Sequence, residues 1–272
     1  MQVRNTIVRD SGAGALLGLA AGDQGSGAAY GHHTQLAMLV AYELLRNRQV
    51  ESGRIRDGLS RLSGGRSGRS RVRDAPFWLH AYLEQERLQG LGVGPHGGFD
   101  VATRAIPIGI WHRDDPKELI ADSIRAATAT HTDRPSVVSA AILSGAIAGT
   151  SHGQYGRDLV AGALEVGMMA ADRIADDATL VGDPSDLLHT LRSMIPSVGA
   201  GSAEIVEQIA PERDSPTAAM VGLVIVAPVL QDPFAVIADV APLRRRDIDV
   251  VISAVVGARV GLIQWPSSVA ND

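Results

Sequence analysis

Asp115-Pro116, Ser215-Pro216 and Asp232-Pro233 each set an acceptor side chain directly before a proline where a helical pattern begins. A capping residue followed by proline at the first helical position opens an α-helix and has no counterpart inside a sheet. At Asp115 the signal is completed by Glu118, spaced for a reciprocal capping box, and the pattern predicts a helix to about Ala129. Pro135 begins another, because Val138, Ile142, Leu143, Ala146 and Ile147 follow it at three- and four-residue spacing. The same reading predicts helices over 12–22, 33–47, 76–88, 155–175, 185–193, 202–210 and 246–261. The best strand candidate, Val221 to Val229, lies inside a longer helical pattern. The chain reads as all-α.

Composition narrows what such helices can build. Of 272 residues 45% are apolar, yet only 4% are aromatic and 30 are glycine, so the core is made of small aliphatic side chains on closely approaching backbones. There is no cysteine, which excludes disulfides, thiolate nucleophiles, iron–sulfur clusters and cysteine-type zinc sites. Lys117 is the only lysine, which leaves phosphate recognition to arginine. A net charge of −5 gives no global footprint for nucleic acid, which is not an expected partner.

Ala13 to Ala21, after Arg4 and Arg9, has the outline of a signal-peptide core, but Gly14, Gly18 and the early Asp10 argue against that. Ala218 to Leu230 holds a proline and is too short to span a membrane, so no membrane association is expected. The protein is expected to be soluble and cytoplasmic. Residues 63–70 and the glycine-rich 90–98 read as loops, and no linker separates two cores, so residues 1–272 count as one domain.

Four groups of residues carry possible chemistry. His32-His33 stands at the start of an apolar helix, where adjacent imidazoles can face one pocket or simply cap and solvate the helix end. Asp247 and Asp249 open the last long helix behind Arg244-Arg245-Arg246. Their spacing suits a hard cation or acid–base work, and equally the positive end of the helix dipole. The segment from Gly97 and Gly98 through Asp100 to Arg104 joins a glycine loop to one arginine, which either meets a ligand or is a buried structural group. His131 ends the next helix as a dipole partner or a ligand contact. Seven arginines from Arg54 to Arg73 could grip a phosphate or nucleic acid, but without interleaved aromatics for base stacking they read as a flexible, solvated loop.

Taken in order, these pieces resemble the ADP-ribosylglycohydrolase family, which includes the dinitrogenase-reductase-activating glycohydrolases. Gly14 to Asp23 is similar to the family's opening helix ending in Gly-Asp. Arg104 to Gly109 is similar to its arginine and Pro-Ile-Gly segment, and Thr130-His131 to its Thr-His. The likeness covers about 12–149 clearly and 240–262 weakly. It implies a compact, single-domain, all-α fold whose cleft takes two magnesium or manganese ions beside ADP-ribose.

The departures are specific. The family's Thr-Asp-Asp-Thr-Gln is Gly31-His32-His33-Thr34-Gln35 here, and its Gly-Asp-x-Asp-Thr is Arg246-Asp247-Ile248-Asp249-Val250. The stretch between the Gly-Asp and this second motif shrinks to residues 24–31. Two imidazoles with two carboxylates do not suit a magnesium pair; they suit one transition metal such as manganese, iron or zinc, an empty site with imidazole hydrogen-bonded to carboxylate, or metal-free acid–base catalysis by a His–Asp pair. The resemblance thus implies His32, His33, Asp247 and Asp249 as metal-binding and catalytic residues. It implies Gly97, Gly98, Asp100, Arg104 and His131 as substrate-binding residues. The expected activity is hydrolysis of an ADP-ribosyl or related ribosyl glycosidic bond. The alternative is an inactive relative that binds an ADP-ribosylated protein, a nucleotide or a protein partner.

Overall fold

The computed structural model describes residues 2–23, 31–62, 100–199, 215–227, 235, 237 and 245–262. Its helices are α1 Gln2–Gly22, α2 His32–Asn47, α3 Ser52–Leu62, α4 Asp100–Arg104, α5 Ile106–Trp111 and α6 Pro116–Thr128. They continue with α7 Arg134–Ser151, α8 Gly156–Arg173, α9 Ser185–Met194, α10 Pro216–Val226 and α11 Arg246–Val260. Among the described residues there is no strand, only an isolated bridge between Asp133 and Val181. None of the described helices is long and apolar enough to cross a membrane.

The local start signals act as their chemistry demands. Asp115 accepts the Glu118 amide at 3.2 Å ahead of Pro116, but the reciprocal half of the capping box is not made. The Asp115 amide donates to the His112 carbonyl instead, and the Glu118 carboxylate meets Arg125. Asp133 accepts the Ser136 amide at 3.0 Å, so the helix containing Pro135 starts at Arg134. Val221 to Val226 is helical, and α1 begins ten residues before the predicted start.

Two short helices, α4 and α5, occupy a segment that carried no helix prediction, and α3 corrects part of the arginine loop. Ile55 and Leu59, one turn apart, are buried with Gly58, and a helix is the conformation that places both on one side. The remaining arginines of that run lie outside the described residues, as do the loops at 63–70 and 90–98, the helices at 76–88 and 202–210, and the start at Asp232-Pro233.

Helix α7 is apolar or small on every face and is buried from Ser136 to Thr150. A helix hydrophobic all round must lie inside the bundle, and α4, α5, α6, α8, α10 and α11 pack on it. On one side α1 and α11 run antiparallel in direct backbone contact. A Cβ on Gly14 would strike the Gly257 carbonyl and one on Gly257 the Gly14 carbonyl, so glycine is required at both positions. Eight residues further along α1, a Cβ on Gly22 would lie 2.7 Å from the Asp249 carbonyl. The end of α1 is thereby set against the start of α11.

Candidate functional site

The N-terminus of α2 has no capping side chain of its own, since Gly31 occupies the cap position. Asp23, directly after α1, supplies what is missing. Its Oδ2 accepts the Thr34 amide at 2.9 Å and the Thr34 hydroxyl at 3.0 Å, and the residue is fully buried. A carboxylate here satisfies an orphan amide and sits at the positive end of the helix dipole. It holds His32 and His33, the first two residues of α2, in a fixed orientation.

Both imidazoles turn inward, with ring centroids 3.9 Å apart. His32 Nε2 lies 3.1 Å from Asp100 Oδ1. A carboxylate accepts, so His32 donates from Nε2 and its lone pair falls on Nδ1, which is buried and has no hydrogen-bond partner. His33 Nδ1 lies 3.0 Å from the Thr103 hydroxyl, which itself donates to the Asp100 carbonyl at 3.0 Å. The hydroxyl therefore accepts from His33, and the His33 lone pair falls on Nε2. One donor atom from each of Asp23, His32 and His33 lies within 4.8 Å of the others.

Asp100, at the start of α4, orients the imidazole pair. Burial by itself would push its carboxyl up. The hydrogen bond from His32 and the charges of His33, His32 and His131 overcome this and hold it well below the usual carboxylate range. Arg104, at the other end of α4, is fully enclosed and donates to the Thr130 hydroxyl at 2.7 Å; that hydroxyl is 2.8 Å from His131 Nδ1. Three predicted substrate residues, Asp100, Arg104 and His131, are thus joined in one buried region behind the imidazoles. Gly97 and Gly98 lie outside the described residues.

The predicted aspartates differ from each other. Asp247 is buried and gives both carboxylate oxygens to Arg245, at 2.9 Å to Nε and 2.7 Å to an Nη. Asp249 is half-buried, and its Oδ1 is enclosed without a partner. Burial, with the nearby Asp247 charge, pushes its carboxyl up to about 6 against the opposing pull of Arg245. At the end of α1, Gly22 packs against the Asp249 backbone and the next residue, Asp23, holds Thr34 of α2.

The donor set bears on the expected metal. Two imidazole nitrogens and one carboxylate oxygen fit a single late divalent ion, and the unpartnered His32 Nδ1 is the nitrogen such an ion would use. A carboxylate such as Asp100 on the far nitrogen is the usual support of a ligating histidine. At Asp247 both carboxylate oxygens already accept from the Arg245 guanidinium. Sequence reasoning missed Asp23 and Arg245 as members of the site. Asp23 stood in the Gly-Asp ending of α1 and Arg245 in an arginine triplet, but neither position says which side chain it will meet.

The family model for ADP-ribosylglycohydrolase matches residues 4–264. Among solved structures, a chain described as an ADP-ribosylglycohydrolase-related protein complex is similar with a TM-score of 0.59 and 18% identity, over 97% of this chain and 92% of that one, which is a likeness of fold. A search of curated protein sequences finds no match. With its helical fold and a model match across nearly its whole length, the chain belongs to the ADP-ribosylglycohydrolase family.

Proposed function

We propose that the protein hydrolyses an ADP-ribosyl or related ribosyl glycosidic bond, using a centre built on one transition-metal ion in place of a magnesium pair. The observation that carries this reading is the buried group of Asp23, His32 and His33, with one donor atom from each within 4.8 Å of the others and His32 Nδ1 enclosed without a hydrogen-bond partner. A metal held there would act as a Lewis acid and lower the pKa of a bound water. Asp23, His32 and His33 are the residues that would hold it, with Asp100 fixing the His32 ring.

The reaction joins a water oxygen to the anomeric carbon and breaks the bond to the leaving nitrogen or oxygen. Asp249 is the carboxyl suited to exchange the proton between them, because its Oδ1 has no partner and its pKa lies near working pH. Asp247 stands beside it and keeps its proton affinity high. Arg104, Thr130 and His131 brace the wall that would face an ADP-ribose-like ligand.

Purified protein should be analysed for bound metal and titrated with ADP-ribose, then assayed for ADP-ribose release from ADP-ribosylated protein. Stoichiometric manganese, iron or zinc together with release supports this reading, and loss of release in His32→Ala ties it to the cluster. A second reading is favoured by the Arg245–Asp247 pair, which leaves one family metal carboxylate fully engaged. On that reading the cleft binds an ADP-ribosylated protein, a nucleotide or a protein partner without turnover. Tight ADP-ribose binding with no release from any substrate would select it.

A further inference from the structure

The start of α11 carries a buried charge pair, Arg245 with Asp247, whose guanidinium the proposed hydrolysis does not use. Arg245 precedes the helix, and its guanidinium reaches Asp247 in a fork, Nε to Oδ1 at 2.9 Å and an Nη to Oδ2 at 2.7 Å. Arg245 is 7% exposed and Asp247 3%. Such pairing satisfies both carboxylate oxygens at once and is the strongest arrangement a protein offers between these groups. It is also local, because the partners are two residues apart on a helix start held against Gly22.

Asp247 and Asp249 bring two negative charges and Arg245 one positive, so this corner carries −1 when both carboxyls are ionised. A divalent ion placed there would sit beside a like charge. It would also have to share or displace two short hydrogen bonds, and removing either partner of a buried pair leaves the other uncompensated. Asp249 alone offers a single carboxylate, too few oxygens for an ion that takes six or more oxygen ligands.

We infer that the Arg245 guanidinium is a built-in cation that takes the place of a divalent ion at Asp247, so that this half of the cleft works without metal. The inference rests on the reading that any ion is held on the imidazole side. Arg245 then neutralises Asp247 permanently, whatever the metal supply.

The experiment is a titration of the full chain with Mn2+, followed by electron paramagnetic resonance of the free ion, on wild type, Arg245→Gln and Arg245→Lys. Wild type should bind no more than one ion per chain. Arg245→Gln should bind one ion more than wild type, at least about tenfold tighter than any second-ion binding in wild type. Arg245→Lys keeps the charge and should gain nothing. If Arg245→Gln fails to fold alone, millimolar Mn2+ should restore its cooperative melting, whereas Arg245→Gln with Asp247→Asn should fold without that help.

Two ions per wild-type chain would overturn the inference. So would an Arg245→Gln protein that binds no additional ion, or one whose folding Mn2+ does not rescue. Failure of the imidazole centre looks different. Wild type then binds no ion at all, while the one-ion gain in Arg245→Gln still stands.

Discussion

Replacing Asp249 with asparagine should make the metal-free protein more stable at neutral pH and leave it nearly unchanged in acid. The side chain keeps its size and loses only its charge. In the folded protein the carboxyl is raised to about 6 by burial and by Asp247, whereas in the unfolded chain it titrates near its ordinary value of about 3.9. A raised folded value means that the protonated form favours folding. That contribution is complete below about pH 4 and is lost as pH rises through about 6. A shift of about two units corresponds to about 3 kcal/mol if the carboxyl were fully enclosed. Asp249 is only half-buried, and solvent screening reduces the figure to about 1 kcal/mol.

Thermal and urea unfolding of wild type and Asp249→Asn in chelator should therefore differ by about 1 kcal/mol near pH 7.5, or roughly 2–4 °C in Tm. Near pH 4.5 the difference should be clearly smaller, and it should vanish as pH falls below about 4. A variant equally or less stable at neutral pH, or a difference that does not change with pH, would refute the argument. Asp249 would then have a partner that holds it ionised. A stabilising loss of charge is what a residue retained for function is expected to show.

Asp23→Ala removes the acceptor at the start of α2 and should cost about 1–2 kcal/mol in urea unfolding, whereas Asp23→Asn keeps an acceptor for Thr34 and should cost less. Both substitutions should weaken Mn2+ binding in calorimetry if Asp23 is a ligand. Arg104→Ala empties a fully enclosed site and strands Thr130 and His131, so unfolding should show a loss of roughly 3 kcal/mol; a near-neutral result would show that the guanidinium faces the cleft. Manganese or zinc should bind more tightly than magnesium by calorimetry near pH 7.5 and should weaken below about pH 6 as imidazoles protonate. Gly257→Ala drives a methyl group into the Gly14 carbonyl and should lower stability by about 1–3 kcal/mol, read as a fall in Tm.

What the sequence determined by itself is the helical character of the chain and where most described helices begin. Asp115 with Pro116, the proline at 135 and Ser215 with Pro216 act over one turn, so the chemistry that starts each helix lies within four residues. The all-round apolar pattern of α7 likewise marks it for the interior without knowledge of its neighbours. Short helices without such signals, α3, α4 and α5, are held by burial of Ile55, Leu59 and the α4 side chains, and were not legible locally.

The site was decided by tertiary structure. His32 and His33 stand out in the sequence, yet their tautomers depend on Asp100 and Thr103, some seventy residues away in the chain. Arg104 reads equally as a ligand contact or a structural group until its full enclosure against Thr130 is seen. Asp23 becomes part of the site only because Gly22 lets α1 end against α11, which brings its carboxylate to the open end of α2. The Arg245–Asp247 pair spans two residues, but that Arg245 turns inward depends on the packing of α11 against α1. Helix starts are governed by bonds to near neighbours, whereas a site is governed by which distant side chains share one buried volume. That volume exists only after the helices have packed.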